Sequence, residues 1–201
     1  MNVGVLVSGS GTNLQAILDA GKTGALGGAR VVAVVSNVAG VRALERAAAA
    51  GVATEVLPHK GYASRDAFDA ALVATLQKYE VELVVLAGFM RLLTPAFLGA
   101  FPGRVMNIHP ALLPAFPGVN AQKQALEYGA RVTGCTVHFV DEGCDTGPII
   151  AQAAVPVLDG DDEATLGARI LAEEHRLYPA AIRAVADGRV RVNGRRVKIR
   201  T

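Results

Sequence analysis

Asn107-Ile108-His109-Pro110-Ala111-Leu112-Leu113-Pro114 sets an amide and an imidazole two residues apart, and Asp145-Thr146-Gly147 adds a carboxylate later in the chain. Asn is a neutral donor for a developing oxyanion. His supplies a proton or a positive charge near neutral pH, and a neighbouring Asp raises its pKa and fixes its tautomer. The trio suits attack by a nucleophile on a carbonyl-type carbon. A residue before proline is pushed out of the α region, so His109 and Leu113 are expected to be extended. A cis Leu113-Pro114 bond would make a rigid turn that aims the loop, and it is expected here. Val105-Met106-Asn107-Ile108 reads as a short apolar strand, so the polar pair stands where a parallel strand ends, the place where open α/β folds carry their chemistry.

Ser8-Gly9-Ser10-Gly11-Thr12-Asn13 lies between an apolar strand and a helix, where free backbone amides and a helix N-terminus can face an anion. It is not a dinucleotide fingerprint: Leu14 stands at the third glycine position, and the second strand ends at Ser36-Asn37 without an acid for a ribose. No Gly-Lys-Ser/Thr follows, and Ser8 occupies the place where a hydrolase elbow needs glycine. The choice left is a phosphate site for a mononucleotide-like substrate or an ordinary tight turn. Gly88-Phe89-Met90-Arg91-Leu92-Leu93 presents apolar residues after another strand, which is costly unless a flat apolar group or the helix from Pro95 covers them.

The remaining histidines point elsewhere. His138 falls inside a strand and reads as packed, His59 sits in a polar turn, and His175 lies on a long helix beside Glu173 and Glu174. No pair has zinc spacing, and Cys135 and His138 project to opposite faces of one strand, so no metal site is expected.

The elements that must hold these residues follow from apolar periodicity. Val3–Val7, Val31–Val35, Val52–Leu57, Leu83–Ala87 and the run ending at Asn107 read as buried strands. Helices are expected from Leu14 to Gly21, from Val41 to Ala50, after Ser64 along Phe68, Leu72, Leu76 and Tyr79, and from Thr94-Pro95. Alternation of this kind gives a mostly parallel sheet with helices on both faces. Val132–Val140 and Ile149–Val157 are longer strands without a convincing helix between them, so mixed or antiparallel pairing is expected there. Asp161 and Asp162 open a helix to about Leu177, Pro179 starts another to Asp187, and a hairpin with a type I′ turn at Asn193-Gly194 closes the chain.

At 201 residues the chain suits one domain, and 51% hydrophobic residues with few aromatics give a core of Ala, Val, Leu and Ile. A net charge of +2 gives no argument for nucleic acid. The basic cluster Arg189, Arg191, Arg195, Arg196, Lys198 and Arg200 alternates with valines and reads as a solvated hairpin face rather than a phosphate-binding arm. Two cysteines form no disulfide framework and suit a reducing cytoplasm. No signal peptide or membrane span is recognised, and a cytoplasmic location is expected.

Ser8 to Leu14, Leu86-Ala87-Gly88-Phe89-Met90-Arg91, Asn107-Ile108-His109-Pro110 and Asp145-Thr146-Gly147 occur in the order and spacing of the phosphoribosylglycinamide formyltransferases, and the chain resembles that family up to its final hairpin. The resemblance implies a single-domain, Rossmann-like, open and mostly parallel twisted sheet flanked by helices, with antiparallel additions in the C-terminal half. Its parts would be a mononucleotide-binding half (1–108), a catalytic and folate half (109–187) and the hairpin (188–201).

The implied reaction transfers a formyl group from 10-formyltetrahydrofolate, as cosubstrate, to the amine of glycinamide ribonucleotide in purine biosynthesis, without a metal. His109 would be the catalytic acid, Asn107 a donor to the formyl oxygen, and Asp145 the carboxylate that keeps His109 charged. Gly11, Thr12 and Asn13 would hold the substrate phosphate, and Glu174 its ribose hydroxyls. Arg65, Met90, Arg91, Leu92 and Leu93 would line the folate site with Asn107 and with backbone from Val140 and Asp141 to Cys144. Members of the family often carry histidine at the position of Gln122, here read in the loop after Phe116-Pro117-Gly118, so a charge or proton role is not carried over to that side chain, whereas a hydrogen-bonding one is. The resemblance is compatible with a monomer or a homodimer and implies neither nucleic-acid nor membrane partners. Formyl-folate hydrolases share the constellation but carry a regulatory domain in front, and methionyl-tRNA formyltransferases carry a further C-terminal domain. A non-catalytic nucleotide- or folate-binding module is the alternative of another class, opposed by the intact Asn, His and Asp set.

Overall fold

The computed structural model describes residues 1–200, so of the expected hairpin span only Thr201 lies outside the described residues. A seven-stranded sheet has the order β3-β2-β1-β4-β5-β6-β7. Its strands are β1 (Asn2–Val7), β2 (Arg30–Ser36), β3 (Ala53–Val56), β4 (Leu83–Leu86), β5 (Val105–His109), β6 (Val132–Phe139) and β7 (Ile149–Pro156). The first five pair in parallel. The β5–β6 and β6–β7 pairs are antiparallel; the lack of a helix between the last two strands accounts for the second pair.

The parallel strands are buried on both faces, which is why they read as unbroken apolar runs. One face packs Val5, Val85, Met106 and Val137 against α1 (Thr12–Lys22), α2 (Arg42–Ala49) and α6 (Glu163–Ala186). The other packs Leu6, Val84 and Val105 against α3 (Arg65–Lys78) and α4 (Pro95–Ala100). Local chemistry sets the helix starts. Ser64 Oγ accepts the Ala67 N–H at 3.1 Å, Thr94 Oγ1 accepts from Phe97 ahead of Pro95, and Asp162 and Thr165 form a reciprocal capping box for α6.

Three details differ from the sequence-based expectation. α6 is one helix through Pro179, not two. Leu177, Tyr178, Pro179, Ala181 and Ile182 are all buried, so packing on both sides of the proline carries the helix past its missing N–H. Ala121–Tyr128 forms a further helix, α5, so Gln122 sits in its first turn rather than in a loop. The closing hairpin, β8 (Val190–Asn193) with β9 (Arg196–Ile199), turns at Gly194-Arg195, because Asn193 pairs with Arg196 in the ladder. Only Gly194 has positive φ, which excludes a type I′ turn. The Leu113-Pro114 bond is cis, as expected.

With β2 on one side of β1 and β4 on the other, the order of strand addition reverses between β1 and β4, and a crevice opens outside the carboxyl ends of these two parallel strands. Tyr178 fixes the neighbouring strand ends from below. Its buried hydroxyl lies 2.9 Å from the Leu86 carbonyl and 3.1 Å from that of Met106, tying α6 to β4 and β5.

Candidate active site

The carboxyl ends of β1, β4 and β5 supply three adjoining sets of residues. After β1, Gly11 turns the chain into α1 at φ 69°, a left-handed conformation that favours glycine. A Cβ there would also strike Ala43 of α2, so both backbone angle and close helix approach require glycine. Ser8 to Asn13 line a cavity of about 190 Å³ with Ala87, Gly88 and Met90 from the loop after β4. The start of α1 has no side-chain cap, so its first N–H groups face that cavity as donors. Behind it, Asn13 Nδ2 donates to Glu174 Oε2 at 2.7 Å. Burial pushes the Glu174 carboxyl above its ordinary pKa, with the Asn13 bond acting in the opposite direction.

The loop after β4 is fastened at both ends. Ser8 Oγ donates to Asn37 Oδ1 at 2.6 Å and accepts the Met90 N–H at 3.0 Å. Arg65 donates to the Leu92 carbonyl at 2.9 Å, and the Arg91 guanidinium lies over the Phe68 ring. Leu93 and Phe89 are buried, whereas Met90 is 73% exposed and Leu92 59%. The helix from Pro95 therefore covers part of the apolar loop and leaves two large side chains open. Val140 packs against the same cluster as Leu93 and donates its N–H to the Val105 carbonyl.

β5 carries Asn107 and His109 on one face, two residues apart. His109 is buried, with Nδ1 3.3 Å from Asp145 Oδ2 and Nε2 2.8 Å from the Phe116 carbonyl. Both neighbours are acceptors, and a doubly protonated imidazolium satisfies both. Asp145 Oδ2 also accepts the Gly118 N–H at 2.8 Å, which joins the loop after β5 to the loop after β6. The second loop is closed by Asp141 Oδ1, which accepts from Thr146 Oγ1 at 2.6 Å and Gly143 N–H at 3.2 Å. Gly147 is required beneath it, since a Cβ would run into the Phe139 carbonyl.

The loop from Pro110 to Pro114 is anchored by two polar residues that sequence reading passed over. Thr136 Oγ1 donates to the Ala111 carbonyl at 2.7 Å and accepts the Leu113 N–H at 3.0 Å, while Gln152 Nε2 donates to the Leu113 carbonyl at 2.9 Å. Phe116 then adopts φ 54° and Asp145 φ 56°. Left-handed backbone at residues other than glycine is costly, and here two such positions flank one imidazole.

His138 is the main surprise. It is buried, as the strand position implies, yet it is buried inside the candidate site. Nε2 lies 3.4 Å from Asn107 Nδ2 and 3.7 Å from Asp145 Oδ1, and Nδ1 lies 2.8 Å from the Phe139 carbonyl. Burial pulls its pKa down most strongly. Asp145 and Asp141 oppose that shift and the His109 charge adds to it. Only the β5–β6 register, which pairs Asn107 with His138, could have exposed this neighbour. Cys135, on the opposite face of β6, is in the core, and burial pushes its thiol up to about 12. Among the described residues no group of three His, Cys, Asp or Glu side chains could hold a metal ion, and no helix is long and apolar enough to cross a membrane.

With Asn107, His109 and Asp145 gathered beside an anion-facing loop, comparison with known proteins is informative. The formyl transferase family model matches residues 1–182. The phosphoribosylglycinamide formyltransferase of Escherichia coli (strain K12) is 49% identical over 193 residues, which cover 96% of this chain and 91% of that protein. The chain belongs to the phosphoribosylglycinamide formyltransferase family.

Other relatives agree. A crystal structure of glycinamide ribonucleotide transformylase 1 from Symbiobacterium toebii superposes with a TM-score of 0.98 at 58% identity, covering 100% of this chain and 94% of that one. The trifunctional purine biosynthetic protein adenosine-3 of Chironomus tentans is 52% identical over 192 residues, 95% of this chain, but the chain spans only 14% of that protein's length. The fold expected of the family is therefore the fold found, a mostly parallel sheet with antiparallel strands and a hairpin added at the C-terminal end.

Proposed function

We propose that His109, Asn107 and Asp145 carry the family's reaction in this chain, transfer of a formyl group from 10-formyltetrahydrofolate to the amine of glycinamide ribonucleotide. The observation that supports it best is the 3.3 Å contact of His109, at the end of β5, with Asp145 in the loop after β6, with Asn107 on the same strand face.

The substrates divide between the adjoining sets of residues. Backbone donors of Gly11, Thr12 and Asn13 hold the phosphate, and Glu174 beside Asn13 takes the ribose hydroxyls. Exposed Met90 and Leu92, with Arg65, Arg91, Leu93 and backbone from Val140, Asp141 and Cys144, receive the folate. Their open apolar surface suits a flat ring. On this division both halves of the chain contribute to both substrates: Arg65 and Met90 to Leu93 bring residues 1–108 into the folate site, Glu174 brings residues 109–187 to the ribose, and the hairpin serves neither.

At the reacting centre the neutral amine forms a bond to the formyl carbon, and the carbonyl π pair moves to oxygen. Asn107 N–H and His109 N–H face that oxyanion. The Phe116 carbonyl now engages Nε2–H, so the oxyanion must share or take over that donor. Asp145 holds the imidazolium against the developing negative charge. Water held by Asp145 moves a proton from the attacking nitrogen to the departing folate nitrogen, the carbon–nitrogen bond to folate breaks, and a formamide is left. A preorganised donor of this kind is worth about 3–4 kcal/mol in a transition state.

Incubation with formyl-folate, with and without glycinamide ribonucleotide, tests the reading. Tetrahydrofolate release that requires the ribonucleotide is expected. Release without it would mean hydrolysis, and no release would mean a binding module; either outcome rejects the proposal.

A further inference from the structure

We propose that His138 is a positioning residue for formyl transfer: its Nε2 accepts one N–H of the Asn107 carboxamide and so aims the other N–H at the formyl oxygen. The inference rests on the reading above of Asn107 as an oxyanion donor.

The ring's tautomer follows from its surroundings. A carbonyl oxygen can only accept, so the 2.8 Å contact with Phe139 puts a hydrogen on Nδ1 and, in a neutral ring, the lone pair on Nε2. Nε2 faces the Asn107 carboxamide at 3.4 Å. Of the two ends of that amide, only Nδ2 can satisfy a lone pair; the oxygen would repel it. The hydrogen-bond pattern thus decides which way Asn107 points, a choice that an isolated carboxamide leaves open.

Nδ2 has two hydrogens, so one remains for substrate. The pairing is built into the sheet, since Asn107 and His138 are directly opposite across the antiparallel β5–β6 ladder. The charged groups around the ring act in both directions. Asp145 and Asp141 favour the imidazolium, and His109 disfavours it. Burial to 2% exposure outweighs the Phe139 hydrogen bond and the two acids and holds the ring's pKa below its ordinary 6.5, so the ring is neutral at pH 7. A proton on Nε2 would be turned towards Asp145 Oδ1 at 3.7 Å or towards an overturned Asn107 amide, and in either case Asn107 Nδ2 would lose the acceptor that fixes it.

Steady-state kinetics of four variants tests this. His138→Phe keeps an aromatic ring and removes the acceptor, and His138→Gln restores an acceptor near the Nε2 position. His138→Phe is expected to lower kcat about tenfold or more with KM for glycinamide ribonucleotide changed by less than about twofold. His138→Gln should recover most of that loss. In an Asn107→Ala background, His138→Phe should cost less than about twofold more, because it acts through the missing amide. Wild-type kcat in His138→Phe, or its full penalty in the double variant, overturns the proposal. Wild-type kcat in Asn107→Ala would reject the donor role of Asn107, and the inference with it. If His138→Phe fails to fold, nitrogen NMR of the imidazole in the wild-type protein decides. A lone pair on Nε2 at neutral pH is expected, and a proton there contradicts the proposal.

Discussion

His109 is pinned by an acceptor at each ring nitrogen, Asp145 on one side and the Phe116 carbonyl on the other. The carboxylate can stabilise charge, whereas the carbonyl holds the donor that an oxyanion would need. On the proposed mechanism His109→Ala removes both the acid and the charge it carries, so it should cost more turnover than Asn107→Ala, for which a loss of about a hundredfold is expected. Gln122→Ala should be milder than either. Turnover at saturating substrates, with circular dichroism to check the fold, gives the order, and Asn107→Ala within a few fold of wild type would reject its donor role. The meeting of Asn107, His109 and Asp145 was legible in the sequence because two polar residues end an apolar strand and a carboxylate stands in a separate Asp-Thr-Gly turn. His138 was not, because a histidine inside an apolar strand looks the same whether it faces a core or a cleft. Only strand register separates the two, and register is a long-range property.

The glycine before α1 shows how an element boundary serves the site. Gly11→Ala would force left-handed backbone on a residue with a Cβ and drive that Cβ into Ala43. A loss of at least about 1–2 kcal/mol is expected, together with a raised KM for the ribonucleotide. An unchanged urea midpoint and KM would show that α2 does not press on this turn. Tyr178→Phe tests the opposite side of the sheet. It removes the hydroxyl shared by the Leu86 and Met106 carbonyls, and about 1–3 kcal/mol should be lost in urea unfolding.

The helix starts at Ser64, Thr94 and Asp162 were readable because capping is local chemistry. α5 is less evident from sequence, although a left-handed Gly129 ends it, because it buries only Ala121 and Ala125 and starts at a left-handed Asn120 without a side-chain cap. Pro179 misled for the converse reason. A local breaker signal was overruled by burial on both sides of it.

For the molecule as a whole, buried titrating groups link stability to pH. Burial holds the His138 and His175 imidazoles below the ordinary value of 6.5, with Arg46 adding to the shift at His175. Just below 6.5 the unfolded chain therefore binds more protons than the folded protein, and stability rises with pH. Their contribution is complete above 6.5 and is lost as pH falls through the folded values. Glu174 runs the other way. Its raised pKa favours the folded state below its ordinary 4.5, and that contribution disappears as pH rises through the folded value. From pH 7 down to 5, wild-type stability to urea should fall more steeply than that of His138→Gln. Equal slopes would mean that the His138 shift is absent. The alternation of strands and helices made the parallel half of the sheet legible from apolar runs alone. The antiparallel half was legible only in outline, since its register joins residues from separate segments.

The single-turnover rate of formyl transfer in Asp145→Asn, at saturating formyl-folate and glycinamide ribonucleotide, bears most directly on the site. The substitution keeps the side chain's shape and removes the charge opposite His109. A fall of about a hundredfold or more, with ribonucleotide binding unchanged, is expected. A rate within a few fold of wild type would contradict the assignment of His109 and Asp145 as the acting pair.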